Sequence, residues 1–281
     1  LKYLFFTGHV APIHPAAMYL LLAFLLMSLL LKKAFCSWLC PVGTLSEVLW
    51  KIGRRLFGRN LVPPRWLDLT LRSLKYILLA FFIGVIGYMS ADALAGFMMT
   101  PYGLIADVKM LDFFRTLTFT GIIVLGILAG LSLLIQNFWC RYLCPYGALM
   151  GLVSLLSPTK IRRDAEACID CGKCSKACPA QLKVDQLIQI RSVECSACLA
   201  CVASCRVENA LQFALPPKKS VTPAERWRGR ALRPGTVAVM IAILFFGLVF
   251  FARMTGHWRS PIPNEVYQQL VPNAQTVAHP M

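Results

Sequence analysis

Four long apolar runs alternate with polar, mostly basic segments along this chain. Each run approaches the roughly 20 apolar residues that a helix needs to cross a bilayer. Core helices of a soluble protein are seldom so long and so free of charge, so we interpret the runs as membrane spans. They cover residues 16–31, 77–94, 117–135 and 236–252. The pattern predicts an all-α polytopic membrane protein with four spans in this sequence.

The composition agrees with a membrane protein, and the basic residues orient it. Hydrophobic residues make up 57% of the chain and charged residues 15%, against about 25% charged in a typical soluble domain. Nine Lys and Arg fall in residues 32–75 and fifteen in residues 136–235, but two in residues 90–116. Because Lys and Arg are retained on the cytoplasmic side, the first two segments are predicted to be cytoplasmic and both termini periplasmic, in a bacterial inner membrane. This topology explains the formal charge of +16, so membrane lipid rather than nucleic acid is the expected contact.

A shorter amphipathic stretch follows the first span. Thr44 and Glu47 have the spacing of a capping box, and apolar residues then recur at helical intervals opposite basic ones. Gly58 is suited to end such a helix, since glycine readily adopts the left-handed conformation of a C-cap. We therefore expect a helix that opens at Thr44, ends near Gly58 and lies on the cytoplasmic leaflet.

One motif, Cys-x3-Cys-Pro-x-Gly, occurs twice. Residues 34–43 read AFCSWLCPVG and residues 138–147 read FWCRYLCPYG, each directly after a span. The chain thus contains two copies of one helix–cysteine element. On a continuing helix the two thiols of a motif would share a face, but the proline breaks or redirects the chain directly afterwards.

Three interpretations of the motif cysteines remain open. They are buried structural thiols at helix ends, pairs of redox-active thiols, or joint ligands of a third metal site. The last would follow if the repeat brings two similar elements side by side, because four thiolates suffice for an Fe–S cubane. The cysteines concerned are Cys36, Cys40, Cys140 and Cys144.

The segment between the third and fourth spans carries the most specific signal. Two consecutive runs there have the spacing Cys-x2-Cys-x2-Cys-x3-Cys, and proline follows the first run. This is the pattern of bacterial ferredoxins with two 4Fe–4S clusters, in which the fourth cysteine of each run ligates the other cluster. Zinc sites and disulfides fit poorly, because zinc uses isolated ligand pairs and a cytoplasmic segment keeps its thiols reduced. One cluster is assigned to Cys168, Cys171, Cys174 and Cys205, and the other to Cys195, Cys198, Cys201 and Cys178.

Other cofactor and catalytic motifs are missing from the sequence. It has no phosphate-binding loop, nicotinamide fingerprint or Ser/His/Asp arrangement, so no catalytic residue is assigned. A haem b needs axial histidines within the spans, and the four histidines lie outside them, at His9, His14, His257 and His279. We interpret His9 and His14 as interfacial, with the border of a quinone site as the alternative. The chain is therefore expected to be an electron-transfer subunit rather than a stand-alone enzyme.

Together these stretches resemble one family. FCSWLCPVG, WCRYLCPYGAL and CIDCGKCSKACP are similar to motifs of the NapH/NosR/CcoG-type membrane polyferredoxins, most closely the NapH-like and NosR-like members. The resemblance implies a protein that passes electrons between the quinone pool or cytoplasmic donors and a periplasmic respiratory or redox system, through partner subunits or a periplasmic carrier. The alternative, suggested by CcoG-like members, is a maturation factor that supplies reducing equivalents for metalloenzyme assembly.

The expected organisation has five parts. Residues 1–158 form a membrane domain with both helix–cysteine repeats, and residues 159–216 form an inserted α+β ferredoxin domain of the bacterial two-cluster type. A basic linker at 217–235 leads to the last span at 236–252 and a periplasmic tail at 253–281. The sequence begins with leucine and shows no signal peptide, and the resemblance implies one further helix upstream.

Overall fold

The structure, a computed structural model, describes residues 1–11, 13–216 and 230–278. Most of the expected basic linker, and His279, therefore lie outside the described residues. The chain divides into two compact units, the first made of Leu1–Leu22, Ala80–Leu128 and Phe246–Met281, the second of Ala23–Leu79 and Ala129–Phe245. All twelve cysteines belong to the second unit.

Helices form most of the described chain. The α-helices are α1 (Lys2–Thr7), α2 (Pro15–Leu31), α3 (Phe35–Trp38), α4 (Pro41–Phe57), α5 (Arg65–Tyr88), α6 (Ala91–Met99), α7 (Pro101–Leu104), α8 (Ala106–Arg115), α9 (Phe119–Leu134), α10 (Pro145–Val153), α11 (Lys173–Ala177), α12 (Ala200–Ala203), α13 (Pro234–Met254) and α14 (Asn264–Leu270). A π-helical turn covers Trp139–Leu143, and 3-10 turns cover Ser154–Leu156, Val184–Gln186 and Ala274–Thr276. The strands are β1 (Lys160–Arg163) and β2 (Leu211–Ala214).

Two helices among the described residues, α5 and α13, are long and apolar enough to cross a membrane. A third candidate span results if α8 and α9, which are bent by 80° at a short break, count as one broken span. Helix α2 is also apolar, but it has 17 residues and is shorter than a typical span. The chain is thus a mostly helical membrane protein with two or three candidate spans.

The second apolar run of the sequence is divided between two helices. Helix α5 starts well before the run and ends at Tyr88, and the Ser90 hydroxyl then accepts a hydrogen bond from the Ala93 amide at 3.1 Å. Such an N-cap stabilises the start of a new helix, here α6, so the predicted bounds of this span are wrong. The earlier start of α5 also places Asp68 and Lys75 on a candidate span, where each has an ionic partner.

Helix α4 starts earlier than the capping-box pattern predicts. It begins at Pro41, with Cys40 at the N-cap position, because proline has a suitable fixed φ and its missing N–H is not needed in the first turn. Thr44 lies inside this turn and donates a hydrogen bond to the Cys40 carbonyl at 3.2 Å. The predicted start at Thr44 is wrong, whereas the predicted end at Gly58 is confirmed by its left-handed φ of 72°.

A small antiparallel sheet brackets the two cysteine runs in the sequence. Strands β1 and β2 pair with Ile161 opposite Phe213, and both side chains are buried. Helix α11 packs against α12, and α12 packs against β2. Buried Val184 and Ile190 complete the apolar centre of this segment, which holds the cysteine loops in place.

The first unit holds the predicted interfacial histidines. Helix α1 packs against α6, and Lys2 Nζ donates to the carbonyls of Ile86 and Gly87 at 2.8 Å each. His14 Nε2 lies 2.9 Å from the Gly103 carbonyl oxygen, so this imidazole has a structural partner. His9 is exposed.

Candidate metal centres

Both Cys-x3-Cys-Pro motifs lie at a break between two helices. Cys36 lies in α3 and Cys140 in the π-helical turn, whereas Cys40 and Cys144 are the N-caps of α4 and α10. The two N-cap residues have nearly the same backbone conformation, with φ −71° and ψ 117° at Cys40 and φ −72° and ψ 109° at Cys144. The helix does not continue through either motif, and the proline starts the next helix.

The glycine of each motif lets the helix after the proline pack against the first cysteine. A Cβ atom on Gly43 would lie 2.2 Å from the Cys36 carbonyl oxygen, far inside van der Waals contact. One on Gly147 would lie 3.4 Å from the Cys140 carbonyl oxygen. The Gly147 amide also donates a hydrogen bond to Cys144 Sγ at 3.2 Å, and such a bond stabilises the thiolate form of the sulfur.

The structure brings the four motif cysteines into one electrostatic neighbourhood. Burial is the main cause that raises the pKa of Cys36 to about 11 and that of Cys140 to about 12, and the other motif thiols add to both shifts. Burial likewise raises the pKa of Cys144, with Cys40 contributing. Thiols in this state are neutral near pH 7 unless a bound metal keeps them deprotonated.

A buried cluster of charges adjoins these thiols. Lys75 Nζ donates to Glu194 Oε1 at 2.6 Å, and Lys33 Nζ lies 4.0 Å from Glu194 Oε2. Lys33, Glu194, Cys36 and Cys140 line one cavity, here called the motif cavity. Burial alone would lower the pKa of Lys33, but the negative charges of Cys36 and Glu194 outweigh that effect. The pKa of Lys33 is therefore raised above its usual value. Burial pushes the pKa of Glu194 up, but Lys33 and Lys75 more than offset it, so the pKa is lowered.

Each motif is anchored to a loop that carries cysteines of the ferredoxin-type runs. In the second motif, Arg141 Nε and Nη2 donate to the two Asp68 oxygens at 2.9 and 3.1 Å, and Nη1 donates to the Ala180 carbonyl at 2.9 Å. In the first motif, Trp38 Nε1 donates to the Ala197 carbonyl at 3.1 Å. A guanidinium that donates to both a carboxylate and a backbone carbonyl fixes the positions of the two segments that carry them.

Four cysteines drawn from both runs line one apolar cavity, here called the ferredoxin cavity. Burial raises the pKa of each of these thiols, and nearby thiols raise that of Cys201 further. Aliphatic side chains, among them Ile161 and Leu182, form the rest of the wall. The set includes the last cysteine of the first run, as the crossover assignment requires. Its members are Cys178, Cys195, Cys198 and Cys201.

The other set of four surrounds α11 and α12. Cys174 is buried, and burial raises its pKa, with smaller contributions from the charges of Asp185 and then Cys168. Cys171 is exposed. Cys205 directly follows the turn after α12, which packs against the helix that carries Cys174. The structure therefore places Cys168 within electrostatic range of Cys174, and Cys205 beside the neighbouring helix.

The donor set suits Fe–S clusters. Among the described residues, no three Cys, His, Asp or Glu side chains meet around one point as they would about a single metal ion. A 4Fe–4S cubane has a different requirement, since each thiolate binds a separate iron atom. All twelve cysteines are free, and soft thiolates select iron–sulfur chemistry. The free thiols and the two cysteine-lined cavities thus fit 4Fe–4S clusters.

Two family models match the chain. One, described as a 4Fe-4S binding domain, matches residues 13–60 and again residues 117–164, so it covers both Cys-x3-Cys-Pro motifs. The other, described as a 4Fe-4S dicluster domain, matches residues 160–206 and covers both ferredoxin-type runs. No solved structure matches the chain. The chain therefore carries 4Fe–4S clusters.

Similar proteins point to the same chemistry. The chain is 52% identical to a putative electron transport protein, YccM, of Escherichia coli (strain K12), over 99% of this chain and 77% of that protein. It is 31% identical to the regulatory protein NosR of Pseudomonas aeruginosa, over 66% of this chain and 25% of that protein. It is 24% identical to the ferredoxin-type protein NapH of Escherichia coli (strain K12), over 62% of this chain and 59% of that protein.

The motifs, the helices and these relatives define a class: membrane proteins that transfer electrons through 4Fe–4S clusters. Within that class, the chain belongs to the NapH/NosR-type family of membrane ferredoxins, as its motifs predict.

The sequence alone does not reveal the buried charges of the site. Lys33, Lys75 and Arg141 look like ordinary cytoplasmic-side cations, and Asp68 and Glu194 like surface acids. For Asp68 and Lys75 a signal exists in their position on α5, because ionisable residues on a helix that runs into the membrane usually have a buried partner.

Proposed function

We propose that this chain conducts electrons through three 4Fe–4S centres at the cytoplasmic side of a bacterial inner membrane. The electrons pass between a quinone or a cytoplasmic donor and a periplasmic redox system, with partner subunits at either end. One observation carries the proposal: Pro179, Ala180 and Ser196 line both the motif cavity and the ferredoxin cavity. Centres that share a wall are adjacent, as an electron relay requires.

Two of the centres are proposed in the ferredoxin-type segment, residues 159–216. A 4Fe–4S cluster supplies one-electron chemistry when bound, and the protein contributes ligands, charge and exclusion of water. The buried ferredoxin cavity is proposed to hold one cluster and the set around α11 the other. The ligands are Cys178, Cys195, Cys198 and Cys201 for the first of these, and Cys168, Cys171, Cys174 and Cys205 for the second.

The third centre is proposed at the two Cys-x3-Cys-Pro motifs. Its support is threefold: the thiols influence one another electrostatically, two of them line the motif cavity, and a family model for 4Fe–4S binding covers each repeat. Buried cations beside neutral thiols would be an unfavourable arrangement, whereas metal-bound thiolates offset the charge. The ligands are Cys36, Cys40, Cys140 and Cys144.

The proposed topology keeps four spans, with residues 32–75 and 136–235 cytoplasmic and the C-terminus periplasmic. In this topology the first turns of α5, up to Lys75, extend from the bilayer on the cytoplasmic side. Lys32, Lys33 and Lys75 are buried in the protein, so they do not act as loop charges. Six of the nine Lys and Arg in residues 32–75 remain outside that buried group, which still favours the cytoplasm. The exposed apolar face of α4 supports lipid contact at this leaflet; its members are Leu45, Val48, Ile52, Leu56 and Phe57.

The proposal is tested by Cys36→Ser combined with Cys140→Ser in one protein. Purified anaerobically in nanodiscs, the double variant should hold about four fewer iron atoms per chain than the parent. Oxidation of its dithionite-reduced form by a short-chain quinone should be at least tenfold slower. Ser37→Ala, a change of similar size in the same motif, serves as the matched control.

The outcomes separate the three interpretations of the motif. Unchanged iron with unchanged electron transfer would make the four cysteines structural and refute the third centre. Unchanged iron with lost transfer would replace the third cluster by a redox-active thiol pair.

A further inference from the structure

Three lysine side chains are buried in the second unit, and two of them lie near one carboxylate. Lys32 is 0% exposed, Lys33 5%, Lys75 1% and Glu194 6%. Burying a charge is costly unless an opposite charge lies near it. In the described part of the chain, Glu194 is the carboxylate within ion-pair distance of Lys33 and Lys75. One carboxylate neutralises one of these two cations, so an excess of positive charge remains.

The excess charge faces the motif cysteines. Lys33 shares the motif cavity with Cys36 and Cys140, three residues before the first of them in the chain. Lys75 Nζ lies 2.6 Å from Glu194 Oε1, whereas Lys33 Nζ lies 4.0 Å from Glu194 Oε2 and is paired more weakly. The stronger pair therefore takes up most of the carboxylate charge, and the Lys33 ammonium is the group left to interact with the cavity.

An electron added to a thiolate-bound cluster makes it more negative. A fixed cation nearby stabilises that reduced state, and low dielectric in a buried site strengthens the effect. An ammonium on a buried side chain meets this need without screening by water, unlike a surface lysine. Loss of such a cation should lower the reduction potential of the centre that it faces.

We infer that the Lys33 ammonium is the counter-charge of the centre at the Cys-x3-Cys-Pro motifs, and that it raises the reduction potential of that centre. Lys75 takes up most of the charge of Glu194, which leaves the Lys33 ammonium to act on the cavity. The inference rests on the proposed third centre. It assigns a function to a buried lysine that neither lipid contact nor topology explains.

The test compares Lys33→Met, which removes the charge but keeps the length, with Lys33→Arg, which keeps the charge. Lys51→Met is the matched control, because Lys51 is a cation of the same unit with a side chain 52% exposed. Each protein is reduced stepwise under anaerobic conditions and followed by paramagnetic resonance, and its iron is counted. At a fixed ambient potential, the reduced-to-oxidised ratio of the third centre should fall at least tenfold in Lys33→Met, a shift of about 59 mV for one electron.

Lys33→Arg and Lys51→Met should titrate like the parent protein. Glu194→Gln should shift the ratio in the opposite direction, because it removes the negative charge beside Lys33. This sign test does not depend on Lys33→Met being stable. Loss of about four iron atoms in Lys33→Met, but not in Lys33→Arg, would also support the counter-charge.

Two results would overturn the inference and leave the third centre standing. One is an unchanged potential in both Lys33→Met and Glu194→Gln with full iron content. The other is loss of iron in Lys33→Arg as well as in Lys33→Met, which would make Lys33 a packing residue. If the parent protein itself holds about eight iron atoms per chain, the third centre fails first and the inference fails with it.

Discussion

Replacement of Gly43 by alanine should disrupt the first motif selectively. The new Cβ atom would lie 2.2 Å from the Cys36 carbonyl oxygen, more than 1 Å closer than ordinary contact. Because the clash is with backbone rather than a flexible side chain, α4 has to move away from α3. Overpacking of this kind costs about 1–3 kcal/mol, and the movement separates Cys36 from Cys40.

The second repeat supplies the matched control. A Cβ on Gly147 makes its nearest contact at 3.4 Å, and alanine is favoured over glycine inside a helix by about 1 kcal/mol. Gly147→Ala should therefore be neutral or slightly stabilising. The gain in helix propensity applies to both glycines, so the overpacking at Gly43 sets the difference between the two variants, about 1–3 kcal/mol.

The assay is iron content together with the temperature at which the cluster absorbance bleaches in detergent. Gly43→Ala should lose about four iron atoms or bleach at a lower temperature, and Gly147→Ala should match the parent. Equal behaviour of the two variants would refute the close packing of α4 on the first motif as the reason for this glycine.

Three further outcomes are expected. Reporter fusions after Gly58 and after Leu215 should score cytoplasmic and one after Met281 periplasmic; a periplasmic score at Leu215 would reverse the proposed topology. Arg141→Lys, which keeps the charge but not the fork that joins two partners, should destabilise the protein by about 1–3 kcal/mol, and an unchanged midpoint of heat-induced aggregation would contradict that role. In iron-depleted protein at pH 9, maleimide should modify exposed Cys171 faster than Cys36 and Cys140, whose pKa values burial raises to about 11 and about 12. The reason is that maleimide reacts with the thiolate form. Equal rates of modification would contradict the burial of Cys36 and Cys140.

Hydropathy predicted where the apolar helices lie but not where every one of them ends. The charges at Asp68, Arg72 and Lys75 interrupt the apolar run, so the run starts at residue 77, although the helix starts at Arg65. The helix tolerates them because Lys75 pairs with a carboxylate 119 residues away and Asp68 with an arginine 73 residues away. Local sequence contains no information about such distant partners.

The cysteine chemistry was more accessible from sequence than its surroundings. Spacing alone grouped Cys178 with Cys195, Cys198 and Cys201, because a crossover ligand is a rule of two-cluster ferredoxins, and the structure places these four around one cavity. The neighbourhood of the two Cys-x3-Cys-Pro motifs could be suspected from the repeat. The buried charges beside these motifs could not be predicted, because a lysine or arginine that is buried by tertiary contacts cannot be told from a surface one in the sequence.

The count of centres tests the account most directly. Anaerobically purified parent protein should contain about twelve iron atoms per chain, and stepwise reduction should give three paramagnetic signals, each from one 4Fe–4S cluster. About four iron atoms and one signal should disappear with the Cys36→Ser and Cys140→Ser pair. A parent protein with about eight iron atoms and two signals, both unchanged in that double variant, would contradict the three-centre relay.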